Sequence, residues 1–587
     1  MWNFIRSVFT IVIGIFVFIF ISIIGLIMIG SMMSSENDGK IKQASVLKLK
    51  LDKEIVERES EKIFNGVFLP GRATIGLVEL KEAIEEAKTN ENIKGIYLDL
   101  NRVQAGFATL EEIRNALLDF KKSGKFVVAY GESYSEGAYY LASVSDKIFL
   151  PPTGMLEFNG LESELLFFKG TLEKLDIKVE VFKVGTFKSA VEPFILDKMS
   201  DANRAQMKSF MNSIYATYLA NVAVSRKIEE AKLRKVSDSM LVHNASDALT
   251  YGLITDLDYY NKAETFIRSK TGQAEDEELN FVSYNSLLDN KAEKIKVAED
   301  KIAVIIASGE IISGKGNDEI IGSETLAAQI RKARNDKHVK AIVLRVNSPG
   351  GSALASDVIW NEVVLTKGVK PIIASMSDVA ASGGYYISMA CDTIVAQPNT
   401  ITGSIGVFGL MLNMEKFLKE KMGVTTDREK TGQFSDIGSV TRTLTDYERK
   451  MIQKEVEQIY EDFTSKAAQG RHMPQDELKR YAEGRVWSGR EALKIHLVDT
   501  LGGVSDAISI AAQKAGLKEK YDVVYWPEQK NMFWKQLLSG VGGDDEARVD
   551  AALQKELGML YPYIRSVKDL DQLNGIQARM PYKLIVK

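Results

Sequence analysis

IKGIYLDLN (Ile93–Asn101) and VKAIVLRVN (Val339–Asn347) decide the fold, because the second stretch restates the first at an offset of 246 residues. The same offset lays Leu80 on Leu326, Ile84 on Ile330 and Ala87 on Ala333, the apolar positions of a helical pattern just before each stretch. It also lays ESYSEGAYYLASVSD (Glu132–Asp146) over DVAASGGYYISMACD (Asp378–Asp392), matching Gly137, Tyr139, Tyr140 and Asp146 to Gly383, Tyr385, Tyr386 and Asp392. Further along the offset slips to 244, where DALTYGLITDL (Asp247–Leu257) parallels EALKIHLVDTL (Glu491–Leu501) less closely. A period this long means one fold written twice.

Within each copy, short apolar runs alternate with helical patterns: strand-like Lys301–Ala307, helix-like Ser323–Asn335, strand-like Lys340–Val346. Continuous Val, Ile and Leu in the strands marks burial on both faces, so the class is α/β, built of βα units on largely parallel sheets. FVSY (Phe281–Tyr284) and VVYW (Val523–Trp526) echo each other as last strands. The charged stretch 271–300 connects the copies, which gives a first repeat over residues 36–298 and a second over 299–587 with a C-terminal extension. No pattern can be assigned to the last fifty residues.

Residues 1–35 are read as an anchor. From Val8 to Gly30 there is no charge, and a helix of that length rises about 34 Å, enough to cross a hydrocarbon core of about 30 Å. A cleaved signal peptide has a shorter apolar run and small residues at its cut, whereas Met28, Met32 and Met33 crowd that place here. Arg6 before the span and Glu36 and Asp38 after it favour a cytoplasmic N-terminus, with the bulk of the chain across the membrane. The single cysteine, Cys391, allows no intramolecular disulfide. With a net charge of −4 and no clustering of Lys and Arg, a nucleic-acid partner has no electrostatic support.

Chemistry gathers at two turns. Ser382 sits among small residues where a strand-like run enters a helix, with exposed N–H groups and the positive end of the dipole at hand; a nucleophile and a simple helix cap both fit. NSPGGS (Asn347–Ser352) follows another strand, and both turns stand at carboxyl ends of parallel strands, where α/β sheets place their sites. N–H groups of Gly351 and Gly383 can converge there as an oxyanion hole. No G-K-[ST] or G-x-G-x-x-G follows, so nucleotide binding is weakly supported. Tyr385 and Tyr386 are core residues by default, with groove lining as the alternative.

A serine nucleophile needs a base. His338 and His496 stand at the far ends of helices, and His243 and His472 in polar connections, so lysine is the alternative. Bringing a lysine from about 10.4 to about 7 takes roughly 4–5 kcal/mol of burial or neighbouring positive charge. Lys188, in VGTFKSAVEPF (Val184–Phe194), has the apolar neighbours for this, although a surface lysine paired with Glu192 fits the same local sequence. The repeat weighs on the choice: Lys188 aligns with Ser435 in the second copy, and Ser382 with Glu136 in the first. Lys430 is the alternative base from within the second copy.

ASGGYY (Ala381–Tyr386), NSPGG (Asn347–Gly351), TGSIG (Thr402–Gly406) and GTFKSAVEPF (Gly185–Phe194) resemble the long, duplicated form of signal peptide peptidase A, a Ser–Lys family with a Clp/crotonase-like fold. The resemblance implies Ser382 as nucleophile, Lys188 as general base, Ser404 as the second serine that orients the lysine, and Gly351 and Gly383 as oxyanion donors, with no metal or cofactor. It further implies a homotetramer on the outer, periplasmic face of the bacterial inner membrane, acting on signal peptides. Two rivals share the fold: a crotonase-like acyl-CoA enzyme, which requires a carboxylate base, and a non-catalytic membrane scaffold.

Overall fold

The computed structural model describes residues 41–59, 74–292, 298–518, 521–527 and 575–580, with Gly14, Phe18, Ile21 and Ser22 of the N-terminal segment. The expected anchor lies otherwise outside the described residues, among which no helix is long and apolar enough to cross a membrane.

The duplication appears as two sheets with one strand order. The first runs Asp256–Leu257, Lys147–Leu150, Phe126–Tyr130, Ile93–Asp99, Ser45–Lys50, Phe281–Val282, every neighbour parallel. The second repeats it with Thr500–Leu501, Thr393–Ala396, Ile372–Ala381, Val339–Ser348, Lys301–Ser308 and Asp522–Trp526, again parallel. Ile401–Gly403 also pairs with the far end of Ile372–Ala381, and Val486–Ser488 closes that edge antiparallel. The FVSY and VVYW stretches are the edge strands that their echo suggested. Central strands such as Val339–Ser348 are buried almost throughout rather than alternately, as a parallel sheet covered on both faces requires.

The helices before these strands follow the repeat down to their ends. Leu77–Thr89 buries Leu80, Ala83, Ile84 and Ala87, and Ser323–Asn335 buries Leu326, Ala327, Ile330 and Ala333, the one-faced spacing of 3.6 residues per turn. Each fully buried Leu or Ile contributes about 1.5–3 kcal/mol. Both helices stop at a residue whose side chain accepts an N–H two positions on: Asn90 from Asn92 at 3.1 Å, Asp336 from His338 at 2.9 Å.

A third sheet joins the copies. Its order is Ile320–Gly322, Glu310–Ile312, Gly350–Ser352, Gly575–Arg579, Val407–Asn413, Lys178–Val184. The last two strands come from opposite copies and pair antiparallel over seven residues, from Val407 opposite Val184 to Asn413 opposite Lys178. The segment Gly575–Arg579 belongs to the stretch in which the sequence shows no pattern; it pairs with strands from elsewhere in the chain and leaves no local signal of its own.

Buried charge ties the copies a second time. Arg345, 2% exposed, lies on a central strand of the second sheet and pairs with Glu57 at 2.7 Å and Glu112 at 2.8 Å, both from the first copy. Burial alone would raise Glu112, but Arg345 and Lys81 beside it hold its carboxyl down at about 2. Asp378 reaches back in turn, accepting from the Thr109 N–H at 2.9 Å and its hydroxyl at 2.5 Å. Removing one member of such a group leaves charge buried without compensation, so Arg345→Leu is expected to lower stability by about 3–5 kcal/mol. Denaturant titration followed by tryptophan fluorescence checks this; a loss below about 1 kcal/mol, the level of a surface pair, would show that the pairing does not hold the copies together.

Candidate active site

Ser382 stands at a strained corner between the strand Ile372–Ala381 and the helix Gly383–Ser388. Its φ of 56° and ψ of −111° are unusual for a residue with a β-carbon, and conformations of this kind persist only where the surroundings enforce them. Here the Ser382 N–H donates to the Gly403 carbonyl at 2.8 Å. The Ser382 hydroxyl makes no capping bond to its helix, so the cap alternative is not what the side chain does. The two glycine-rich turns pack backbone on backbone. A β-carbon on Gly383 would stand 3.0 Å from the Gly350 Cα, and one on Gly384 would stand 2.5 Å from the Ser348 carbonyl oxygen.

Lys188 arrives from the other copy. The strand Lys178–Val184, pinned to Val407–Asn413, turns at Gly185 (φ 106°) and delivers Lys188 into the seam, 0% exposed. Gln206 locks this turn: its amide donates to the Phe187 carbonyl at 3.1 Å and the Ser189 hydroxyl at 3.0 Å, while its carbonyl accepts from the Val486 N–H at 3.1 Å. Lys188 does not pair with Glu192, which instead accepts from Ser200 and Asn203 at the start of the next helix.

The Lys188 Nζ lies 2.8 Å from the Ser382 Oγ, 3.1 Å from the Ser404 Oγ and 3.2 Å from the Ser404 carbonyl oxygen. Burial alone pushes this amine well below its ordinary value of 10.5, and none of these three partners is a carboxylate. A neutral amine has two N–H groups and one lone pair. The Ser404 carbonyl and hydroxyl oxygens take the two N–H groups, and the Ser404 hydroxyl donates onward to the Gly484 carbonyl at 3.2 Å. The lone pair is thereby left for the Ser382 hydroxyl. Ser404 is itself held at a positive φ of 49°, with its N–H donating to the Arg485 carbonyl at 2.7 Å.

Sequence reasoning missed Gln206 and Gly484, whose partners lie far along the chain. Gly484 (φ 78°) faces Lys188 so closely that a β-carbon would stand 2.7 Å from the lysine's N, Cα and Cβ, and one on Gly406 would stand 3.3 Å from its Cδ. Lys430 lies on an exposed loop, bonded to Asp436 at 2.6 Å, and Ser435 is exposed beside it. Tyr385 and Tyr386 are core residues: the first donates to the Leu497 carbonyl at 3.0 Å, the second to Asp357 at 2.8 Å.

The counterpart of Ser382 in the first copy is a closed polar spot. One oxygen of Glu136 accepts the N–H groups of Asn159 and Gly160, both at 2.7 Å, while the other is buried with no partner. Burial raises its pKa from 4.5 to about 7, against the two N–H bonds that lower it.

Two expectations follow from this packing. Gly484→Ala displaces Lys188 and should abolish peptide hydrolysis while leaving circular dichroism unchanged; retained activity would refute the packing argument. For Glu136, the folded chain holds a proton between pH 4.5 and about 7 that the unfolded chain has lost. Stability should therefore rise as pH falls from about 7 to 4.5, by at most about 1.4 kcal/mol for each pH unit crossed. Glu136→Gln should flatten that slope in urea titrations, and an unchanged slope would assign it to another group.

Comparison with known proteins agrees with the duplication. Residues 119–273 and again 365–518 match Peptidase family S49, the two matches starting the same 246 residues apart. Protease 4 of Salmonella typhi is 37% identical over 490 residues, covering 82% of this chain and 78% of its own. Protease 4 of Haemophilus influenzae is 34% identical over 524 residues, 87% and 84%. The chloroplastic serine protease SPPA of Arabidopsis thaliana is 34% identical over 552 residues, 92% and 78%. A solved structure, a ClpP1 mutant from Listeria monocytogenes, covers 35% of this chain and 94% of its own at 15% identity, with a TM-score of 0.24, too low to support a fold assignment. A domain matched twice in tandem and proteases aligned across most of their length, one of them named a serine protease, lead to one conclusion: the chain is a serine peptidase and belongs to peptidase family S49, in the long duplicated form of signal peptide peptidase A.

Proposed function

We propose that the peptidase works through a Ser–Lys dyad, with Ser382 as nucleophile and Lys188 as general base. The observation that carries this reading is the 2.8 Å separation of Lys188 Nζ and Ser382 Oγ in a site closed to water. Lys188 takes the Ser382 proton as the Oγ attacks the scissile carbonyl, then passes it to the leaving amine. Ser404 orients the amine. The N–H groups of Gly351 and Gly383 receive the oxyanion. Water, giving its proton to the same lysine, then hydrolyses the ester and frees Ser382.

Substrates on this reading are extended peptides. The edges of Gly350–Ser352 and Phe408–Leu410 each accept an antiparallel strand, a mode that recognises any peptide backbone. Signal peptides fit this chemistry, being apolar and free of fixed structure once released. The uncharged run Val8–Gly30 supports a single-pass inner-membrane anchor, with the catalytic part on the periplasmic side. The homotetramer stands on the family resemblance, and the boundary between the repeats is placed near Glu299.

Ser382→Ala and Lys188→Ala should each lower kcat on a short apolar peptide by on the order of 10⁴-fold, and the double variant by little more, since the two act as a unit. Lys430→Ala should leave the rate unchanged. The wild-type kcat/KM should rise with pH as the depressed Lys188 amine loses its proton, at a midpoint below 10.5. Full activity in Lys188→Ala would sink the dyad.

A further inference from the structure

Gln206 sits in the helix Asp201–Arg226 of the first copy, 0% exposed, and the two ends of its amide lead to the two residues of the proposed dyad. The amide nitrogen lies within donating distance of the Phe187 carbonyl at 3.1 Å, the Ser189 hydroxyl at 3.0 Å and the Asn203 side-chain oxygen at 3.1 Å, so it grips the turn on either side of Lys188. The amide oxygen accepts from the Val486 N–H at 3.1 Å. Val486 pairs with Gly403, whose carbonyl takes the Ser382 N–H at 2.8 Å. One planar amide thus spans the seam between the lysine turn and the strand pairing that holds Ser382.

The neighbouring bonds show what sets this one apart. Ser209 and Ser213, one and two turns farther along the same face of the helix, also cross the seam, to Glu491 at 2.6 Å and Ser488 at 2.7 Å. Those bonds staple the copies together but grip neither turn of the site. A staple needs only a hydroxyl, whereas position 206 needs donors at one end and an acceptor at the other, which a primary amide supplies in one rigid plane. The charged side chains around the lysine turn are engaged elsewhere. Glu192 accepts from Ser200 and Asn203, the Arg485 guanidinium lies over the rings of Phe187 and Trp487, and Glu483 is exposed. The turn is therefore placed by backbone bonds, and Gln206 holds those on its inner side.

We infer that Gln206 is a positioning residue of the peptidase: by fixing the lysine turn against the Val486 strand it sets the approach of Lys188 to Ser382, bonding to neither side chain. The inference rests on the Ser–Lys reading above. Loosening the turn has two consequences. The amine drifts from the serine hydroxyl, and a displacement of about 1 Å costs on the order of 10²-fold in rate. Water also enters the seam, and a hydrated lysine keeps its proton to higher pH.

The test compares full-length Gln206→Met, similar in shape but without the amide, with wild type, Ser209→Ala and Lys188→Ala in hydrolysis of a short apolar peptide over a pH series. Gln206→Met is expected to lower kcat on the order of 10²-fold with KM within about twofold of wild type. The midpoint of its kcat/KM curve should move up toward 10.5, the ordinary lysine value. Gln206→Asn keeps the amide but is one methylene shorter, so it should show the same two changes, and it decides the matter if Gln206→Met does not fold. Ser209→Ala, which breaks a seam bond beyond the site, should keep the wild-type kcat and midpoint. Wild-type kcat or midpoint in a folded Gln206 variant, or an equal shift in Ser209→Ala, overturns the inference, and the dyad stands if Lys188→Ala is inactive. Failure of both Gln206 variants to fold makes the residue a structural one and overturns the inference as well. Full activity in Lys188→Ala overturns the dyad and the inference together.

Discussion

A lysine amine moves well below its ordinary pKa only where its charge is not tolerated, and the burial of Lys188 shapes the seam of this molecule. A lysine on a single domain surface would snorkel its ammonium into water. Here the amine is enclosed between the copies: Lys188 comes from the first, while Ser382, Ser404 and Gly484 come from the second. Enclosure by burial alone, without a neighbouring positive charge, demands that the walls fit closely. The seven-residue pairing of Lys178–Val184 with Val407–Asn413 fixes the approach, and Gly406 and Gly484 remove the β-carbons that would keep the lysine out.

The same constraint explains why strain collects here. Ser382 and Ser404 both occupy positive φ, and each is held by a backbone bond to another stretch of the chain, to Gly403 at the end of a strand for the first and to Arg485 for the second. Such residues need a rigid surround, and the surround is rigid because charge as well as apolar packing crosses the seam. Glu57 and Glu112 of the first copy meet Arg345 on a central strand of the second. A pair of this kind contributes little net stability over an apolar replacement, but it tolerates no slip between the elements that carry it.

The duplicated copies differ at the positions that meet in the seam. Glu136 stands where the second copy has Ser382, turned to the N–H groups of Asn159 and Gly160. Ser435, the sequence counterpart of Lys188, is exposed on a loop. Lys188 and Ser382 therefore meet across the seam of the two copies although they lie 194 residues apart in the chain.

Local pattern in the sequence determined the α/β class, the repeat and its offset, the central parallel strands and the two glycine-rich turns. These follow from short-range periodicity and backbone chemistry, which each stretch carries within itself. The local sequence at Ser382 fits a helix cap and that at Lys188 a surface lysine, and only the repeat and the motif resemblance point to the two together. Only the tertiary structure decided the third sheet, the place of Gly575–Arg579 within it, the Arg345 pairing 288 residues away from Glu57, and the parts of Gln206 and Gly484. Each of these depends on which distant surfaces meet. A glycine needed to admit a lysine, or a strand whose partners lie more than a hundred residues away, has no signature in its own neighbourhood, because the atoms that give it meaning arrive only when the chain has folded.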